Sequence, residues 1–511
     1  WFHGRGEKLS ELDFIHQRLT QAGEFTPQDT IVLHSYGRYC NGQRFAGETD
    51  FFEAMEVVKR DYRIDEDRII VRGFSLGGAA CWHITTHHAW EWCAANPGAG
   101  FSETEEFLNN FQGEKLKPYP WERKLWNLYD STAVAGNLFN CPTVAYSGEI
   151  DKQQQAANAM ADAIASRDSG IFLKHIIGPN TGHSYEKEAK AGVAIEIDSI
   201  AEAGRRRVPR EVRFETYSLK TNRCAWIEVD GLGEHWQPAS VQAGYDKDGF
   251  HVRAKNVTAF TLNFEAGTFP EEIGPYFQVY VNEDSAIGEK QGAHRPSDRS
   301  FHMSFEQDEA GDWNAVREAQ TGPRKEHDLQ GPIDDAFMDS FIFVRPTGKA
   351  ANEKAGAWAA AELDRAVREW RRQFRGDVRV KDDTAVTEED IRSANLILWG
   401  DPSSNVVMAK VAPQIPLKWD ANGIQAGERH FPAADHALVC IYPNPLNPVR
   451  YVVFNSSFTF REYDYLNNAR QTPKLPDWAV IDLNTPPNSR YPGAIPAAGF
   501  FGEKWELKAG F

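Results

Sequence analysis

The stretch RIIVRGFSLGGAACW places Ser75 between Gly73-Phe74 and Leu76-Gly77, where an apolar, β-branched run gives way to small residues. A serine in that pattern does chemistry when it sits on a sharp strand-to-helix turn. The glycines let strand and helix approach closely, and the strained turn lifts the hydroxyl above the sheet. Gly78, Ala79 and Ala80 keep the following helix slim. The N-terminus of that helix favours negative charge developing beside the serine. An ordinary turn carrying a surface serine is the plain alternative.

A serine hydroxyl is barely nucleophilic at its own pKa and needs a base. In nucleophile-elbow enzymes the acid and then the histidine follow on loops after later strands. TVAYSGEIDKQ puts Asp151 three residues past a strand end, and IIGPNTGHSYE puts His183 in a Gly-containing loop after the next strand. Glu149 competes with Asp151 for the acid role, and Asp151 could instead cap the helix that follows it. For the oxyanion, one donor is expected from the Leu76 N–H and one from a loop that commonly begins His-Gly. The opening residues WFHGRGE read as such an apolar strand end running into a loop, with Gly4 and Arg5 as the oxyanion segment. On that reading the first two strands of the fold lie upstream of Trp1.

Other residues that could do chemistry have weaker patterns. His83 and His87 have the i, i+4 spacing of a metal pair, with His88 beside them, but no acidic third ligand is near and a serine triad needs neither metal nor cofactor. None is expected. Cys40, Cys81, Cys93, Cys141, Cys224 and Cys440 are scattered without CxxC spacing and read mostly as buried apolar residues. Between residues 97–100 and the strand at Thr143, an aromatic insert offers Tyr119, Trp121 and Trp126 as a groove floor or as lid packing. The loop with Tyr39, Asn41 and Arg44 is expected to border the same cleft.

These residues need a scaffold. Through about residue 203, the runs at 30–36, 68–74, 143–148 and 172–178 read as buried strands alternating with helical segments, which means a parallel sheet covered on both faces. After the basic stretch AGRRRVPR at 203–210, apolar and polar residues alternate without intervening helices, the texture of a small β-sandwich. From about 330 the α/β rhythm returns as a smaller open sheet. The expected domains are thus 1–204, 205–330 and 331–511.

Composition narrows the partners. With 56 Lys and Arg against 73 Asp and Glu, the net charge of −17 would repel a nucleic acid. No apolar run approaches the roughly 18 residues needed to span a bilayer.

HGRGE, YGRYCNGQRFAGETD, RGFSLGGAACW, SGEID and GHS together resemble the prolyl oligopeptidase-like branch of α/β-hydrolases, specifically bacterial multidomain members. GPIDDAF, LWGDPSSN and YPNPLNPVRYVVFNS extend the resemblance toward the C-terminus. It implies catalytic roles for Ser75, Asp151 and His183, an oxyanion role near Gly4 and Arg5, and an acyl-enzyme mechanism. The chain departs from true prolyl oligopeptidases in showing no propeller repeats. A small ester, an oligosaccharide ester or a short peptide is the expected substrate. The leading expectation is a serine peptidase; the alternatives are a carbohydrate or aryl ester hydrolase and a vestigial glycan-binding or assembly protein.

Overall fold

The structure is a computed structural model that describes all residues except 7–8, 39–40, 168–169, 275, 283, 287–292, 295, 317–321 and 509–511. The chain forms two compact units, each assembled from separated segments. The first comprises Trp1–Gly4, Val58–Leu116 and Asn127–Thr321, the second Arg5–Val57, Lys117–Trp126 and Gly322–Phe511.

In the first unit, strands β1 (Ile70–Phe74), β2 (Ala94–Gly98), β3 (Thr143–Gly148) and β4 (Leu173–Gly178) form a parallel sheet in that order. Phe2 extends it beyond β1 through a parallel bridge to Gly73, its N–H donating to Arg72 O at 2.8 Å. The helix Leu76–His87 is buried at every position, as its all-round apolar and small composition requires. Its Trp82 joins Ala135, Leu138, Ala145, Ala157 and Met160 in one core cluster. The same unit continues into a five-stranded and a six-stranded sheet whose inner faces share one core. Strand Ala239–Asp246 shows the alternating burial of a sheet wet on one side. Phe250 sits among Trp226, Phe264, Phe269, Phe277 and Phe301, which fills the space between the sheets with aromatic rings.

The second unit holds a seven-stranded mixed sheet, wider than the sheet β1 to β4. Its strands Val380–Asp382, Phe341–Arg345, Asn395–Leu398 and Asn447–Phe454 are parallel neighbours, and the remaining three continue antiparallel. The helix Glu353–Phe374 packs by Trp358, Leu363, Ala366, Trp370 and Phe374, one apolar face at helical spacing.

Two expectations change here. Residues 30–36 form no strand, and Ile31 is half exposed: a β-branched run is only a prior for pairing, and tertiary context overrides it. Residues 5–57 and 117–126 do not share a unit with the parallel sheet, despite falling inside the expected 1–204 domain. They are fastened to backbone carbonyls far away in sequence: Arg44 donates to Asn468 O at 2.6 Å, Thr49 to Met338 O at 3.2 Å and Trp121 to Lys474 O at 3.0 Å. Periodicity carries no trace of such anchors. The first unit runs on through residue 204 into the sandwich strands.

Candidate active site

Ser75 follows the last residue of β1 with φ 60° and ψ −119°, a conformation that costs a non-glycine residue about 1–3 kcal/mol. Its backbone is held on both sides, the N–H donating to Gly98 O at 2.8 Å and the carbonyl accepting from Ala79 N at 3.0 Å. The flanking glycines are needed for space. A Cβ on Gly73 would lie 2.0 Å from Gly77 O, and one on Gly77 would lie 2.0 Å from Phe2 O. Strand end, turn and helix therefore pack backbone to backbone.

As N-cap of its helix, Ser75 makes no side-chain capping bond. Its Oγ lies instead 2.8 Å from His183 Nε2, while His183 Nδ1 lies 2.7 Å from Asp151 Oδ2. Asp151 is buried, and its Oδ1 accepts from Gln153 N at 2.9 Å. Burial pushes its carboxyl up, but the hydrogen bonds from His183 and the Gln153 N–H, with the histidine's charge, hold it below the usual value. An ionised carboxylate can only accept, so Nδ1 carries the imidazole proton and Nε2 is left to accept from the serine hydroxyl. The three groups form a hydrogen-bonded chain from Ser75 to a buried anion.

Glu149 takes a different place. It is exposed and its Oε2 accepts from Asn180 N at 2.7 Å, while Ile150 N donates to Thr181 O at 3.0 Å. These bonds zip the Asp151 loop to the His183 loop. Gly4 lies against the elbow, where a Cβ would stand 3.7 Å from Phe74 O and 3.8 Å from Ser75 Cβ. Leu76 is the first residue of its helix, so its N–H has no intrahelical acceptor. The Arg5 guanidinium donates to Leu466 O within the second unit.

The expected substrate-contacting residues that the structure describes belong to the second unit. Tyr39 and Cys40 lie outside the described residues. Asn41 and Arg44 are buried in the second unit, Asn41 donating to Gln471 Oε1 at 3.3 Å and accepting from Arg44 N at 3.0 Å. Tyr119 and Trp121 stack on each other at 4.4 Å, and Tyr491 meets Tyr119 edge-on at 5.4 Å. Trp126 is buried, with Arg123 over its ring. Trp121 also donates through Nε1 to Lys474 O at 3.0 Å.

His83 is buried edge-on to Tyr129, and His87 Nδ1 lies 3.0 Å from His83 O and its Nε2 3.2 Å from Asn127 O. Burial pushes the His87 imidazole down to about 4, so it is neutral at pH 7. No cluster of metal-ligating side chains occurs among the described residues. Cys81, Cys93, Cys141, Cys224 and Cys440 are buried free thiols.

Sequence reasoning missed the residues that hold the histidine loop. Tyr146, on β3, donates to Ser184 O at 2.9 Å and accepts from Glu186 N at 2.7 Å, and its ring stacks on Tyr185 at 4.4 Å. Phe74 packs on both His183 and Tyr185 with ring centroids 5.0 Å away. The clue was available in the aromatic next to Ser75 and the tyrosine two residues after His183. Removing the hydroxyl in Tyr146→Phe deletes two hydrogen bonds to the backbone of the histidine loop, a loss of about 1–3 kcal/mol in urea unfolding. Because the loop then misplaces His183, turnover on a nitrophenyl ester should fall by about tenfold with KM nearly unchanged. An unaltered kcat would show that the clamp does not position the imidazole.

Comparison with known proteins adds a family match over part of the chain. The model of the prolyl oligopeptidase family matches residues 35–198. Comparison with the curated proteins gives no match. Among solved structures, an S-formylglutathione hydrolase from Agrobacterium tumefaciens is 18% identical, covering 29% of this chain and 54% of its own, with a TM-score of 0.24. A putative dipeptidyl aminopeptidase IV from Bacteroides ovatus is 15% identical over 32% of this chain and 23% of its own, TM-score 0.25. A puromycin-hydrolyzing peptidase from Mycobacterium tuberculosis is 16% identical over 30% and 24%, TM-score 0.25. The chain thus spans about half the length of the first and about a quarter of the other two. Over residues 35–198, the chain is similar to the prolyl oligopeptidase family of α/β-hydrolases.

Proposed function

We propose that this protein is a serine hydrolase of the prolyl oligopeptidase-like peptidase kind, working through an acyl-enzyme on Ser75. The observation that carries the reading is the continuous path from Ser75 Oγ through His183 to the buried Asp151, at 2.8 and 2.7 Å. In this mechanism His183 Nε2 takes the hydroxyl proton as Ser75 Oγ attacks a carbonyl carbon. The imidazolium that forms is stabilised by Asp151 and returns its proton to the leaving group. Water, deprotonated by the same Nε2, then releases the acid. The developing oxyanion is held by the Leu76 N–H, with a second donor from the peptide joining Gly4 to Arg5. Each donor is worth about 3–4 kcal/mol of barrier.

A fluorophosphonate probe tests the nucleophile. It should label the wild-type chain and leave Ser75→Ala unlabelled; labelling that survives the substitution would place the nucleophile elsewhere.

The peptidase reading rests on the family match over 35–198. Since an ester needs less help from the general acid than an amide, nitrophenyl ester hydrolysis alone does not separate peptidase from esterase. A proline-containing peptide anilide should exceed acetylated or feruloylated sugars in kcat/KM by about a hundredfold or more, a preference of about 3 kcal/mol in transition-state binding. The reverse order would make the protein a carbohydrate or aryl esterase.

A further inference from the structure

Within the first unit, the basic stretch AGRRRVPR borders a cavity of about 590 Å³ that the triad does not use. Trp90, Trp92, Phe139 and Pro142 supply apolar walls. Cys93 and Pro142, both lining residues, immediately precede β2 and β3, whereas Ser75, Asp151 and His183 follow the C-terminal ends of β1, β3 and β4. The strands are parallel, so cavity and triad lie at opposite ends of the sheet, about 17–20 Å of strand apart.

The cavity carries positive charge that the protein does not neutralise. Asp67 serves two guanidiniums, at 2.6 Å from Arg207 and 3.6 Å from Arg205. Arg205 also lies over the Trp90 ring, 4.4 Å from its centroid, and its buried Nε donates to nothing among the described residues. Arg206 makes no ion pair or hydrogen bond among the described residues. Arg210 donates through Nε to Tyr245 O at 3.3 Å and meets no carboxylate among them. The lining carboxylate, Glu211, is taken by Arg213 at 2.8 Å. On a chain of net charge −17, this is a local exception.

We propose that this cavity binds a small amphipathic carboxylate, an aryl or alkyl acid. Its apolar body lies among Trp90, Trp92 and Phe139, and its carboxylate is held by Arg206 and Arg210. The volume falls in the range of pockets that bury small organic ligands, about 300–1,000 Å³. A guanidinium matches a carboxylate with paired hydrogen bonds, which rewards an acid over its alcohol. Apolar walls disfavour ions such as free phosphate, whose whole surface is polar.

The test is calorimetric titration of the full chain at low salt with 4-phenylbutyrate and with 4-phenylbutan-1-ol. The acid should bind tighter by about tenfold or more. The exposed pair changed together, Arg206→Ala with Arg210→Ala, should erase that preference. Ala203→Trp, which fills the cavity, should abolish binding of both. Nitrophenyl ester hydrolysis should be unchanged in either variant, separating this site from Ser75, and thermal melts establish that each variant is folded. Equal affinity for acid and alcohol, or acid binding that persists in the arginine variant, would overturn the proposal. So would binding only to phosphatidylglycerol vesicles and not to the free acid. If Ala203→Trp does not fold, the surface arginine variant still decides.

Discussion

Ser75→Ala is expected to lower kcat on a nitrophenyl ester by about 10⁶-fold, with KM changed little. The expectation follows from the geometry at the elbow. Ser75 Oγ is the only atom the substitution removes, and it lies 2.8 Å from His183 Nε2 without capping its own helix. Binding contacts and the Leu76 N–H survive the change, so a residual rate of about 10³–10⁴ over water should remain. Alanine must also occupy a backbone conformation at φ 60°, so the variant may be compared with wild type only after its thermal melt is measured. A folded Ser75→Ala protein retaining activity within about tenfold of wild type would rule out a covalent role for this serine.

The second large effect concerns Asp151. Asp151→Asn should reduce kcat by about 10⁴-fold while leaving the fold intact, because asparagine keeps the size of the side chain but loses the anion. An amide can offer N–H to Nδ1 and so favour the tautomer in which Nε2 carries the proton. The imidazole then cannot accept from Ser75. Asp151 already accepts the Gln153 N–H through Oδ1, which tends to orient an Asn oxygen there and its NH₂ toward His183. Glu149→Gln tests the competing carboxylate. Glu149 accepts from Asn180 N in an exposed position, and a glutamine oxygen can replace that bond, so activity should stay within about threefold. If Glu149→Gln caused the larger loss, the acid role would pass to Glu149.

The linkage to pH has a defined sign. Asp151 is held below the ordinary carboxyl value of 3.8 in the folded chain, so its ionisation stabilises the fold at neutral pH. That contribution is fully present above 3.8 and is lost as pH falls through the lower folded value. Asp151→Asn should flatten the acid limb of the unfolding free energy measured in urea. An unchanged acid limb would show that the carboxylate gains nothing on folding.

What could be read in the residues is concentrated where local rules are strict. At Ser75 the pattern is enforced by backbone packing: the carbonyls of Phe2 and Gly77 leave no room for a side chain on Gly77 and Gly73, so this turn writes its glycines into the sequence. Strand β3 and the helix Gln154–Ala165 were legible for a related reason, since a continuous buried run and an amphipathic repeat are direct imprints of one- and two-sided burial. Strand β2, AANPG, was not. It is buried throughout, yet it contains no β-branched residue, because Gly98 O is crowded against the elbow helix and small residues are selected there over good strand formers.

The sequence by itself determined the nucleophile elbow, the two loops that follow later strands, and the succession of parallel sheet, sandwich and second α/β sheet, all from spacing and periodicity within a few dozen residues. Only the tertiary structure decided which carboxylate faces His183, because Glu149 and Asp151 differ by two positions and one of them is claimed by Asn180 N. It also decided the place of Tyr119, Trp121, Asn41 and Arg44, whose partners stand more than three hundred residues away and belong to the second unit. The physical reason is the same in both cases. A contact with a group distant in sequence constrains neither the period nor the composition of the segment that makes it, so it leaves no mark until the chain has folded.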